Sequence, residues 1–193
     1  MRAAGSTLLA YYYFDSRESK KQDLYGLVSS LLSQLSAESD FYRDLLSNLY
    51  SRNASGTRKL SGSTASRCLT DMLKAPGQGQ IYIIVDALDE CPSNNTSRGP
   101  SAREEVLELI KEVVDLKLPN VHLCVASRLE IDVKRFLWPL KPLEISLHDE
   151  VGQKDDVAKY IESALHSYSE FKGWNNEDMQ LVIDTLSKEA NGM

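Results

Sequence analysis

The sequence predicts an α/β fold, a parallel sheet flanked by helices and followed by the start of an all-helical subdomain. Three observations predict it. Ile81 to Val85 is an unbroken apolar and aromatic run of strand length that stops at a carboxylate, Asp86. Two more such runs, Leu8 to Phe14 and Val121 to Ala126, also end at polar residues, and stretches of helical periodicity separate the three. Beyond residue 150 the pattern is helical only. Strands alternating with helices form βα units, which favour parallel pairing.

Taken in order, Leu8 to Phe14 (Leu-Leu-Ala-Tyr-Tyr-Tyr-Phe) is closed by Asp15-Ser16, as a strand leading into a turn would be. Ser19 followed by Gln22 is compatible with a capping box. Leu24, Leu27, Val28, Leu31, Leu32 and Leu35 then mark one face of an amphipathic helix that packs on the sheet. Phe41, Leu45, Leu46 and Leu49 continue at helical spacing, and Ser51 to Ser63 is a polar loop. A shorter helical face, Cys68, Leu69, Met72 and Leu73, is broken by Ala75-Pro76-Gly77-Gln78-Gly79.

The run Ile81 to Val85 follows at once, and its continuity is that of a strand buried on both faces. Ser93 to Pro100 reads as a polar loop, and Ser101 with Glu104 forms a second capping box. Val106, Leu109, Ile110, Val113 and Leu116 supply the helical face behind it. After the strand Val121 to Ala126 comes a short helix over Glu130 to Leu140, then an alternating, more exposed strand, Leu143 to Leu147. Helices over Asp155 to His166 and Asn176 to Ala190 complete the chain, so residues 1–150 and 151–193 are expected as separate domains.

A chain of 193 residues is long enough for a substantial core. Its net charge of -6 argues against nucleic acid as a partner, because phosphate binding relies on clustered lysine and arginine. No stretch approaches the ~20 apolar residues of a membrane span. Cys68, Cys91 and Cys124 lie far apart without zinc or disulfide spacing, which fits a reducing, cytoplasmic setting. The start does not resemble a signal peptide.

Chemistry concentrates at Asp86-Ala87-Leu88-Asp89-Glu90-Cys91-Pro92. In parallel α/β sheets the ligand crevice lies beyond the carboxyl ends of the strands, so Asp86, Asp89 and Glu90 would project where substrate sits. An apolar strand ending in acid also has the form of a Walker B segment, whose aspartate helps hold Mg²⁺ against nucleotide phosphates. The same residues are equally compatible with an ordinary polar turn, since aspartate and proline both favour turns.

With the flanking elements added, the chain resembles part of a NACHT-type nucleoside triphosphatase module of the STAND class, most similar to those of fungal NOD-like receptors. Ile81 to Pro92 is the most specific part. Tyr11 to Asp15 with its Leu-rich helix resembles the elements preceding Walker B, and Val121 to Arg128 resembles the sensor 1 strand. Ile145 to Leu165 resembles the entry into the helical domain.

The resemblance implies that Asp86 is the metal and cofactor residue, acting on Mg²⁺ through water. Asp89 and Glu90 become the candidate catalytic acids, one of which would orient or deprotonate the attacking water; which one stays open. Arg128 would be the sensor beside the terminal phosphate of ATP or GTP. The phosphate cradle Gly-x-x-x-x-Gly-Lys-Ser/Thr occurs nowhere in the chain, so tight binding of Mg²⁺ or nucleotide is not expected. In the family that cradle lies before the position of Met1, and Asn191 to Met193 resembles a point inside the helical domain. The missing strand is expected to leave a sheet edge exposed beside Val121 to Ala126.

Three functions remain in competition. The first is a portion of a nucleotide-dependent switch. The second is a non-catalytic interaction module acting through protein partners or self-association. The third is a metal-dependent hydrolase using Asp86, Asp89 and Glu90, which is weaker because His122, His148 and His166 are scattered.

Overall fold

The structure, a computed structural model, describes residues 7–52, 62–94, 99–145, 151–171 and 173–189. The chain forms two compact units, Met1–Pro142 and Leu143–Met193. The first holds a three-stranded parallel sheet in the order β1 (Leu8–Tyr13), β2 (Ile81–Asp86), β3 (Val121–Val125). Leu8 lies opposite Ile81, and Ile81 opposite Val121, so the strands start level. Their carboxyl ends therefore form one rim.

Parallel strands need long crossovers. The first carries α1 (Leu24–Glu38), α2 (Asp40–Arg52) and α3 (Gly62–Leu73), and the second carries α4 (Ala102–Asp115). The short helix α5 (Ile131–Leu137) follows β3 and runs into a 3-10 turn, Trp138–Leu140. The predicted stripe of α1 is its buried face: Leu27, Val28, Leu31, Leu32 and Leu35 are all inaccessible. Each such side chain contributes about 1.5–3 kcal/mol relative to exposure. Across the layer they meet Leu8, Ala10, Ile81, Ile83 and Val85, with Met72 of α3 and Ile110 of α4 in the same core. The Ser101 and Glu104 capping box is present at α4, with both reciprocal bonds formed.

Several expectations are corrected. Ser19 and Gln22 do not cap α1; Asp23 does, its Oδ1 accepting the Gly26 N–H at 2.7 Å. Ser19–Lys21 forms a separate 3-10 turn. The Gln22 amide instead donates to the Ser16 carbonyl at 2.5 Å, holding the loop after β1. In α2 the buried aromatic is Tyr42, while Phe41 lies outward. Of the predicted loops, residues 53–61 and 95–98 lie outside the described residues, and Gly62 already begins α3. Leu143 to Ile145 form no strand, and Ser146 and Leu147 lie outside the described residues.

The expectation that β2 is buried on both faces also fails. Burial alternates along β1 and β2, and Leu9, Tyr11, Tyr13, Tyr82 and Ile84 are exposed. Two crossovers of one hand that step the same way across a sheet leave their helices on the same side. Three of those five side chains are tyrosines, which tolerate a wet face because the ring end carries a hydroxyl. The sheet edges differ as well. At β1 the Gln34 side chain takes the place of a neighbouring strand: Tyr11 N donates to its Oε1 at 3.0 Å and its Nε2 donates to the Tyr11 carbonyl at 2.7 Å. Beyond β3 no strand follows among the described residues, so this is the open edge.

The second unit is built from α6 (Val151–Ser167) and α7 (Asn176–Glu189), which pack against each other. Leu165 is buried, whereas Tyr160, placed on the same predicted stripe, is exposed. Phe171 stands edge-on to Tyr168 and Trp174 in the connection. Among the described residues no helix is long and apolar enough to cross a membrane.

Candidate functional site

The rim at the carboxyl ends of the strands gathers the polar residues singled out in the sequence. It is stitched together by the backbone. Phe14 N donates to the Asp86 carbonyl at 3.1 Å, Ala126 N to the Val85 carbonyl at 2.8 Å, and Leu88 N to the Ala126 carbonyl at 3.1 Å. The chain reverses at Ala87, which has φ 53° and ψ 43°, the left-handed region that a β-carbon disfavours. A short 3-10 turn, Leu88–Glu90, follows, anchored by the fully buried Leu88.

Asp86 stands exposed at the end of β2, with Oδ1 accepting its neighbour's N–H, that of Ala87, at 2.8 Å. Asp89 turns toward β3: its Oδ1 accepts the Arg128 N–H at 3.0 Å, and its Oδ2 lies 3.5 Å from Arg128 Nε. Asp89 and Arg128 thus meet directly. The guanidinium itself is mostly exposed, so the pair adds little stability; its content is positional. Glu90 turns the opposite way, toward the end of β1, where its Oε2 accepts from Ser16 N at 2.9 Å and from Ser16 Oγ at 3.2 Å. The two candidate acids therefore face different strands.

Two residues that sequence reasoning missed hold this arrangement. Ser16 is one. The other is Arg103, whose side chain is almost wholly buried at the start of α4. Its Nε donates to the Cys91 carbonyl at 2.9 Å and its Nη2 to the Asp89 carbonyl at 2.6 Å. Its Nη1 reaches both carboxylate oxygens of Asp132 in α5, at 3.2 and 3.0 Å. One guanidinium thereby ties the acidic turn to two helices, using the planar fork that lysine lacks. A signal existed: Arg103 falls on the apolar stripe of α4, at i, i+3, i+4 and i+7 with Val106, Leu107 and Ile110. A charge in that register is buried, and a buried charge has partners.

Beside the rim, Arg17 binds Asp15 through Nε and Nη2, both at 2.9 Å. These bonds, together with one from the Arg17 N–H, hold the Asp15 carboxyl at about 2, well below its usual range. Burial pushes the Cys91 thiol up to about 12, with the Arg103 charge opposing only part of the shift. Cys68 is likewise raised to about 11 by burial, so neither is a nucleophile. Cys124 is the exposed thiol.

Asp86 offers a hard oxygen, Oδ2, with no hydrogen-bond partner among the described residues, which suits Mg²⁺ bound through water and phosphate oxygens with one protein carboxylate. Asp89 and Glu90 are engaged elsewhere. Among the described residues no three acids, imidazoles or thiols converge on one point, so Asp86, Asp89 and Glu90 do not form a ligand set for a metal-dependent hydrolase.

Fold and rim define a parallel α/β domain with an acid and arginine cluster at its strand ends. The family model described as "Nephrocystin 3, N-terminal" matches residues 1–128, and the chain belongs to that family. No curated protein and no solved structure matches it.

Proposed function

We propose that this chain is the magnesium-side and sensor portion of a nucleotide-dependent switch of the NACHT type, related to the modules of fungal NOD-like receptors. The observation that carries this is the pairing of Asp89, in the turn after β2, with Arg128, just past β3, on the same rim where Asp86 ends β2. When bound, Mg²⁺ with ATP or GTP supplies charge neutralisation of the phosphates. Asp86 would hold the metal through a water. Arg128 places a positive charge beyond the strand ends, and Asp89 fixes the height of its backbone. Glu90, tied to Ser16, reports the position of the loop after β1.

Loss of a terminal phosphate would release Arg128 to Asp89 alone, a local change of the kind that biases two-state switches. Paramagnetic Mn²⁺ with ATP tests this. Amide signals of Asp86 to Cys91 and Ala126 to Arg128 broaden before all others, and Asp86→Asn removes the effect. Uniform broadening across the chain, or no change in Asp86→Asn, refutes it. Binding is expected to be weak, since the chain holds no Gly-Lys-Ser/Thr cradle.

A second reading, a non-catalytic interaction module, is favoured by one observation, the bare apolar face of the sheet. Parallel sheets ordinarily have both faces covered. Co-purification with a family member that does carry the cradle tests it.

A further inference from the structure

Strand β1 closes the sheet on its side, since among the described residues no strand but β2 pairs with it. The strand that the resemblance places before Met1 belongs beside β3, at the other edge, so β1 keeps this position whether or not that strand is present. The ladder spends the main-chain groups of alternate residues on β2: Leu8 N donates to the Gln80 carbonyl at 2.8 Å and Phe14 N to the Asp86 carbonyl at 3.1 Å. By that alternation the N–H and carbonyl groups of Leu9, Tyr11 and Tyr13 point out of the sheet. Such a row is a template for another strand.

Gln34 closes the middle of the row. Its carboxamide carries a donor and an acceptor side by side, as a peptide group does, and both serve one residue. The Tyr11 N–H donates to Oε1 at 3.0 Å, and Nε2 donates to the Tyr11 carbonyl at 2.7 Å. A third bond, from Nε2 to Ser30 Oγ at 3.0 Å, ties the amide to the preceding turn of α1. The stem is fixed as well, because Leu31 and Leu35, its neighbours along the helix, are buried in the core. Glutamate lacks the donor and asparagine is one carbon shorter, so few side chains can copy a strand in this way.

We propose that Gln34, steadied by Ser30, is a guard on the β1 edge, and that what it excludes is β1 of a second copy of this chain. Two β1 strands set antiparallel about Tyr11 are self-complementary: Tyr11 exchanges both main-chain bonds with its own copy, and Leu9 with Tyr13. The central exchange needs the very groups that Gln34 occupies. With the fork in place the pair loses its middle bonds and meets a helix side chain where the second backbone would lie. The guard uses no residue of the rim, so its failure leaves the nucleotide reading untouched. The interaction reading is decided separately, by co-purification.

Sedimentation of the full chain from about 1 to 100 μM, a range that brackets micromolar association, compares the wild type with Gln34→Ala. Alanine keeps the helix and opens the edge, so association moves to concentrations lower by about tenfold or more, the worth of the bonds freed at Tyr11. Amide exchange locates the contact: in associated Gln34→Ala the Leu9, Tyr11 and Tyr13 amides exchange more slowly than in the wild type. Adding Tyr11→Pro to Gln34→Ala removes the central donor without costing a bond to β2, and association returns to the wild-type range.

Gln34→Ala that associates no more than the wild type overturns the proposal, and any loss of stability it shows then makes Gln34 a structural bond only. Stronger association also overturns it if Tyr11→Pro leaves that unchanged or the Leu9 and Tyr13 amides stay fast, because the contact then lies elsewhere. Gln34→Met, which keeps the stem, and Leu9→Pro, whose N–H also points outward, replace any variant whose circular dichroism spectrum shows misfolding.

Discussion

Replacing Arg103 with methionine keeps the stem of the side chain and removes the guanidinium from the acidic turn. The Cys91 and Asp89 carbonyls, at 2.9 and 2.6 Å from it, lose their donor. An unpaired buried acceptor costs about 1–3 kcal/mol, so the two together cost about 2–6 kcal/mol. Asp132 is about half exposed and returns to water at little cost. Against this stands the desolvation of the guanidinium, which methionine avoids, an offset of a few kcal/mol in other buried pairs. The net expectation is a loss of about 3 kcal/mol, large beside the 5–15 kcal/mol stability of a typical domain.

Hydrogen exchange of the β2 and α4 amides measures it, and about 3 kcal/mol corresponds to exchange faster by about 100-fold. Asp132→Asn, which leaves both carbonyl bonds intact, loses less than about 1 kcal/mol. If Arg103→Met also loses less than about 1 kcal/mol, the guanidinium is not the clamp of this turn.

Three further outcomes are expected. Gly26→Ala, normally a gain inside a helix, is destabilising here by about 2 kcal/mol. Its β-carbon would overlap the Lys20 carbonyl and stand 2.8 Å from Tyr12 Oη, and a raised melting temperature would contradict this. Ala87→Gly gains about 0.5–1 kcal/mol and Ala87→Val loses more than that, because residue 87 has a positive φ of 53°; urea midpoints moving the same way in both variants would contradict it. Asp15 is held at about 2 against an ordinary 3.8, so its ionised form belongs to the fold. Its contribution is full above pH 3.8 and lost as pH falls through about 2. The carboxyl titration followed by NMR moves up in Arg17→Ala, and an unchanged titration would remove Arg17 as its cause.

Much of the α/β unit was legible in the chain. The apolar runs gave all three strands, the leucine spacing gave the buried face of α1, and Ser101 with Glu104 gave the start of α4. These signals are local, a period or a cap within a few residues. Ser19 and Gln22 fit the same cap pattern as Asp23, and only the folded loop shows Gln22 bonded to Ser16 and Asp23 capping α1. Of the site, Asp86, Asp89, Glu90 and Arg128 were named from strand ends and resemblance, and the structure places them on one rim.

The direction of each side chain was not legible, because it depends on elements far apart in sequence. Glu90 finds Ser16 across 74 residues, and Asp89 finds Arg128 across 39. The bare face has the same origin. A continuous apolar run fixes that residues 81–86 are a strand, through local backbone preference and burial. Whether one face or two is covered depends on which way the crossovers step across the sheet, and that is a property of the assembled chain alone.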